Sequence, residues 1–341
     1  LRGGSPASEQ AVERGLAWLH KHQEPDGRWD CGKYGGRRIN HPEVKTEDRL
    51  AYDVAVTALA TLAFLGAGHT SNSPKYGQTV KRALYWLEDN QNKKTGQWPG
   101  SHYGQGIAAL ASAEAYGMGC GHEDMAKRAA DYLHKSQNPG GGWNYFTDNR
   151  ERNDTSITGW QVMAAKSAKL AGLEIKDELF EGARKHFQSV MPGGESTAGP
   201  ADWKIFYAKQ GDRFFTNPEA GFDAVGAITM LSLLYMNLSP TSPIAIKAAD
   251  YFKERKPDAN NIYYTYYGTL AMFQMGGDYW KSWNKEMRDR LVASQLKGGD
   301  DDGSWPYEGD RWGLGGGRVY TTALAVMTLE VYYRYLPIYN K

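Results

Sequence analysis

The sequence is poor in several things, and each shortage excludes a class of protein. Its only cysteines are Cys31 and Cys120, too few for a disulfide framework, although one bridge between them stays open. Neither sits in a CxxC or Cys/His cluster, so no metal-ligand spacing is present. Charge of either sign is not in excess: Lys plus Arg number 40 against 39 Asp plus Glu, a net charge of +1. That leaves no basic field of the kind nucleic acid or anionic lipid requires. No run approaches the ~18 consecutive apolar residues of a membrane span. The start, LRGGSPASEQ, lacks a leader pattern. The expectation is a soluble domain whose first seven residues are a linker or disordered, compatible with excision from a longer exported or anchored protein.

What the sequence has in abundance is aromatic surface: 13% of residues, with 22 Tyr and 11 Trp. Such rings often line ligand cavities. Four of the tryptophans belong to a repeated turn. It runs from Gln23 to Trp29 (QEPDGRW), Gln91 to Trp98 (QNKKTGQW), Gln137 to Trp143 (QNPGGGW) and Gln295 to Trp305 (QLKGGDDDGSW). Each copy follows a helix-like run and precedes an Ala-rich one, at a spacing of roughly 45 to 70 residues between the first three. A unit of this kind buries its apolar face only against its neighbours.

Charged-face segments alternate with segments apolar all round. The first kind spans 8–22, with Ser8 as N-cap, then 77–90, 124–136, 177–190, 243–256 and 281–296. The second spans 53–68, 104–118, 155–171, 221–238, 262–275 and 320–335. A helix apolar on every side is buried on every side. Six such pairs over residues 1–341 predict one all-α domain, an (α/α)6 toroid with a solvated outer ring and a packed inner ring. Connections into the inner segments are mostly long, about 17 to 30 residues, and those back out mostly short. Long loops over a rigid scaffold carry function, so the mouth where the inner segments begin is the expected working end.

The Gln-Trp turns resemble those of the squalene/oxidosqualene cyclase and protein prenyltransferase β-subunit superfamily. Longer strings, LGAGHT, EAYGM, DTSITGWQVMAAKSAKLAGL, MGGDYW and GRVYTTALAVMTLEVYYRYLP, look like a bacterial group of squalene-cyclase-like repeat proteins. The resemblance implies the terpenoid-cyclase toroid with a central cavity. Class II cyclases of that superfamily carry Asp-x-Asp-Asp-Thr-Ala, whose middle Asp protonates an alkene or epoxide. The nearest string here is Asp53-Val54-Ala55-Val56-Thr57-Ala58, with Ala55 at the proton-donating position. The prenyltransferase zinc set needs Asp-x-Cys, which is missing. No metal and no cofactor are expected. Asp300, Asp301 and Asp302 lie inside a repeat turn, where acidic residues cap and turn the chain, with an adventitious Ca²⁺ site as the alternative.

Position then nominates a ring of residues at the inner starts. Asp53, His102 and Asp154 are the candidate catalytic groups, and Tyr103, Asp223, Tyr264, Tyr267 and Tyr320 the candidate ligand-binding ones. Asp53 and Asp154 have a competing role as N-caps, and a lone His is more often structural. His102 within reach of an axial Asp would make an acid/base pair. Three functions compete: a cavity for an isoprenoid-like ligand, a carbohydrate-active lyase or hydrolase, and a protein-recognition domain presenting its long loops.

Overall fold

A computed structural model describes residues 3–36, 46–147, 150–192, 203–208 and 223–334, and no strand is found among them. The outer helices are α1 (Pro6–Lys21), α3 (Gly77–Asp89), α5 (Glu123–Ser136), α7 (Asp177–Val190), α9 (Pro243–Arg255) and α11 (Gly277–Ser294). The inner ones are α2 (Thr46–Gly66), α4 (His102–Gly117), α6 (Thr155–Leu170), α8 (Asp223–Tyr235), α10 (Ile262–Met275) and α12 (Gly313–Leu329), with a last turn, α13 (Val331–Arg334). In α3 the buried residues include Val80, Ala83, Leu84 and Leu87, one stripe at helical spacing. In α8 every residue from Ala224 to Leu233 is buried. Each inner helix packs on the next, and α12 returns to α2. The outer helices sit in the grooves of this ring, with α1 between α12 and α2. The expected (α/α)6 toroid is the observed architecture.

Several boundaries differ from the sequence reading. The cap of α1 is Ser5, with Pro6 in the first turn and Ser8 closing a capping box. The Gly3 carbonyl accepts hydrogen bonds from Asn284 and Arg288, each at 3.0 Å, so this start belongs to the fold. Inner helix α2 begins at Thr46, which places Asp53 two turns inside it. Inner helix α12 begins at Gly313, within a glycine run read as loop, and is kinked at Gly317. The expected start at 221, and 335 at the far end, lie outside the described residues. Both thiols are free, Cys31 in a loop at the inner-start end and Cys120 beyond the end of α4, so the open bridge does not form.

The repeated turn works by two separate ties. The Gln amide donates to a Gly carbonyl of its own turn and to a carbonyl in the first two turns of the adjacent outer helix. Gln23 does so with Gly27 and Thr79, at 2.8 and 2.9 Å. Gln91, Gln137 and Gln295 repeat it with Met125, Leu179 and Ala11. An arginine one turn further on, Arg82, Arg128 or Arg14, donates back to the Gln oxygen. At the third turn that position is Gly182. The Trp indole instead donates to its own outer helix: Trp29 to Leu19, Trp98 to Leu87, Trp143 to Leu133 and Trp305 to Leu291. The Gln joins neighbouring repeats, and the Trp closes its own.

Close approach explains the glycine of the turn. At Gly141, φ is +86°, and an added Cβ would lie 1.9 Å from the Gly182 carbonyl oxygen. Gly68, at φ +85°, has nothing within 4 Å. Gly141→Ala is therefore expected to cost at least about 2 kcal/mol and Gly68→Ala about 1 kcal/mol, the left-handed backbone penalty alone. Urea midpoints of the two variants measure the difference, and equal midpoints would remove the contact from the account.

The aspartates of the fourth turn are held by the chain's own donors. Asp300 pairs with Lys21 at 2.9 Å, Asp301 with Arg318 at 3.2 Å, and Asp302 with Arg14 at 2.7 Å. Among the described residues no group of three His, Cys, Asp or Glu side chains is placed to hold a metal, and no helix is long and apolar enough to cross a membrane.

Candidate functional site

The loops that lead into the inner helices meet at one end. The Tyr145 carbonyl accepts from the His102 N–H at the start of α4, and the Tyr207 carbonyl from the Thr155 N–H at the start of α6. Asp310, before α12, accepts from the Ile262 N–H at the start of α10.

Asp154 is the N-cap of α6. Its carboxylate accepts from the Ile157 N–H at 3.0 Å and the Ser156 hydroxyl at 2.6 Å, and lies 3.4 Å from Arg152 Nη2. It is fully buried, and burial raises its carboxyl while the surrounding donors pull it back. The Tyr103 hydroxyl bonds Ser156 Oγ. Since Ser156 gives its proton to Asp154, Tyr103 is the donor. Tyr145 stands edge-on to Tyr103, ring centres 5.5 Å apart, and its hydroxyl is 2.7 Å from that of Tyr207. The Arg152 guanidinium lies against the rings of Tyr145 and Tyr207, 6.0 and 5.9 Å from their centres, and donates to Asn144 Oδ1 at 2.7 Å.

Deeper in, Trp160 of α6 donates from Nε1 to the Tyr263 hydroxyl of α10 at 2.9 Å. Its ring meets Tyr267 edge-on at 5.5 Å and stacks with Tyr266 at 6.0 Å. The phenols of Tyr263 and Tyr103 are close enough to act on each other electrostatically. Helices α4 and α10 are opposite members of the ring, so these rings meet across its axis. Burial, then neighbouring charge, raises the phenols of Tyr103, Tyr263, Tyr267 and Tyr320 well above their ordinary range, so all are neutral donors.

The nominated residues divide accordingly. Tyr103 and Asp154 meet through Ser156, Tyr267 packs on Trp160 and Tyr263, and Tyr320 stands within electrostatic range of Tyr263 and Tyr267. The other four turn away from the axis. His102 places Nδ1 2.7 Å from the Asn144 carbonyl and Nε2 3.2 Å from the Tyr132 hydroxyl of α5. Burial lowers its basicity, so the ring is neutral, donating from Nδ1 and accepting at Nε2, with no nitrogen left for a carboxylate. Asp53 accepts from the Cys31 N–H at 2.9 Å and faces Arg28 Nε at 3.3 Å, and burial pushes its carboxyl up to about 6. Asp223 accepts from Tyr251 at 2.6 Å and Arg255 at 2.8 Å, both on α9. Tyr264 packs on Phe252 and Trp283 of the outer helices. Sequence reasoning missed Tyr145, Arg152, Ser156, Trp160, Tyr207 and Tyr263. Only one signal was available: Tyr263 and Tyr267 are four apart and share a face, which excludes Tyr264 from it.

No family model and no curated protein matches the sequence. Solved structures do match along nearly the whole chain. The GH76A alpha-1,6-mannanase of Salegentibacter sp. HEL1_6 superposes with a TM-score of 0.67 at 11% identity, covering 97% of this chain and 99% of that one. The type II terpene cyclase MstE of Scytonema gives 0.61 at 15% identity, with 95% and 97% covered. The cyclase in complex with geranylgeranyl dihydroxybenzoate gives 0.57 at 16% identity, with 95% and 96% covered. The chain therefore shares the squalene-cyclase-like (α/α)6 toroid fold, which these neighbours use with both glycan and isoprenoid substrates.

Proposed function

We propose that the axis of the toroid is a ligand site, entered where the inner helices begin, and that it takes an apolar, isoprenoid-like molecule. The observation that supports this reading is the cluster of aromatic rings near the axis. Tyr103, Trp160, Tyr263, Tyr267 and Tyr320 come from four inner helices and face one region. Tyr103 and Tyr320 lie deep in the protein yet keep part of their surface accessible, as the lining of an internal space does. Aromatic faces suit a prenyl chain by area and by shape.

Chemistry weighs against the glycan reading. Glycoside hydrolysis commonly uses two carboxylates flanking the scissile bond. The carboxylate of this cluster, Asp154, is committed to Ile157, Ser156 and Arg152. Acid-initiated cyclisation is not part of the proposal either, because Ala55 stands at the proton donor's position and Asp53 is turned to Cys31 and Arg28. The site holds and shapes a ligand, and binding is the property to measure. Isothermal titration with geranylgeraniol should show saturable binding with a negative heat-capacity change, and Trp160→Ala should weaken it at least about tenfold. The alpha-1,6-mannotetrose bound by the mannanase neighbour should give no heat. Binding of the glycan but not the prenyl alcohol would reverse the assignment.

A further inference from the structure

A cleft lies at the far end of the toroid, where the inner helices stop. It measures about 430 Å³ and runs between the ends of α6 and α8 and the first half of α7. Small-molecule sites ordinarily measure about 300 to 1,000 Å³. One wall is apolar: Phe180 of α7 is half-buried, and Tyr235 and Met236 at the end of α8 are buried.

The opposite wall carries a cation where the fold supplies no counter-charge. From Thr155 to Ala168 every residue of α6 is buried except Lys166, which is half-buried and lines the cleft. Among the described residues no hydrogen bond or ion pair holds its ammonium. Burial lowers its basicity, and the one charge acting on it, that of Lys169, repels it. Lys169 is itself provided for: it lies in the last turn of α6, where a cation meets the negative end of the helix, and pairs with Asp177. Glu181, the remaining acid of the cleft, is exposed. The repeat also changes here. In the register set by the Gln ties, Leu16, Leu84 and Ala130 are buried at the position that Arg184 takes in α7, and Arg184 donates to the Met236 carbonyl. A second cation thus stands where the other repeats pack carbon.

We infer that this cleft binds a small amphipathic carboxylate, its charged end on Lys166 and its hydrocarbon body against Phe180, Tyr235 and Met236. The site lies at the opposite end of the ring from the axial mouth, and neither reading depends on the other.

Isothermal titration of the intact chain with octanoate, octanamide and acetate tests it. Octanoate should bind saturably. Octanamide, which lacks the charge, and acetate, which lacks the body, should each bind at least about tenfold more weakly. Lys166→Met keeps the stem and should abolish the preference for octanoate over octanamide, whereas Lys166→Arg should keep most of it. Without ligand, Lys166→Met should melt at or above the wild-type temperature, since it removes a half-buried charge that nothing offsets. A lysine that served only the fold would do the opposite, lowering the melting temperature and leaving the preference intact. Octanamide or acetate binding as tightly as octanoate, octanoate binding unchanged in Lys166→Met, or no octanoate binding to the wild type overturns the site.

Discussion

Trp143→Ala is expected to lower the free energy of unfolding by about 3–5 kcal/mol, the range for deleting a buried large aromatic side chain. The ring has no exposed surface. Its Nε1 donates to the Leu133 carbonyl at 3.2 Å and to Ser136 Oγ at 3.1 Å, in the last turns of α5. Its backbone N–H donates to Thr158 Oγ1 of α6 at 3.1 Å. The alanine keeps only the last of these and leaves a void, so the outer and inner helices of this repeat lose their shared packing. Trp312 is the control: it is 41% exposed, and Trp312→Ala should fall within about 0.5 kcal/mol of wild type. Urea melts with unchanged slope report the comparison. Should Trp143→Ala fail to fold, Trp143→Phe, which retains a ring and loses the donor, should still be destabilised. Equal midpoints for the variants at positions 143 and 312 would refute the role given to the repeated turn.

The second large effect is a loss of stability in acid centred on His186. This side chain is buried inside α7 against Thr155, with Nε2 3.2 Å from Oγ1, and burial alone lowers its basicity to about 3. In the unfolded chain the ring protonates near 6.5. The folded value is the lower one, so the stabilisation is complete above the unfolded value. It is lost as pH falls from there toward about 3, at about 1.4 kcal/mol per unit of pH. The sum is on the order of 5 kcal/mol. Chemical melts at pH 7 and pH 4.5 should differ by roughly 2 to 3 kcal/mol more in wild type than in His186→Gln, which has no charge to gain. An identical pH dependence in the two proteins would show that His186 is not the group responsible. Asp53, with its raised value, opposes this trend, because its neutral form is the one its burial favours and its penalty is relieved in acid.

Most of the ring was legible in the sequence because the physics is local. The inner helices lack charge over whole turns, as Ile107 to Ala113 shows, and nothing but burial permits that. Asp154 was legible as a cap for the same reason, a short polar residue ahead of a helix-forming run. The errors arose where a local signal lost to packing. Thr46–Arg49 is polar enough to pass for loop, and the glycines before Arg318 look like a turn, yet both open inner helices. Pro6 was the available clue to the first cap. The site itself was only half legible. Arg152 and Tyr207 reach it from loops of different repeats, and sequence gives no register between such loops. Helical phase could have separated Tyr263 from Tyr264, but only once the direction of the axis was known.

The contact of α12 with α2, and of the first outer helix with the last, has a consequence for synthesis. An open superhelix can settle one hairpin at a time behind the ribosome, but here the first inner helix waits for a neighbour translated after the other ten helices of the two rings. Until the final hairpin emerges, an apolar flank of α2 stays uncovered. A nascent chain of this design depends on whatever shields that flank in the interval, and a premature stop leaves two sticky edges rather than a shorter working protein.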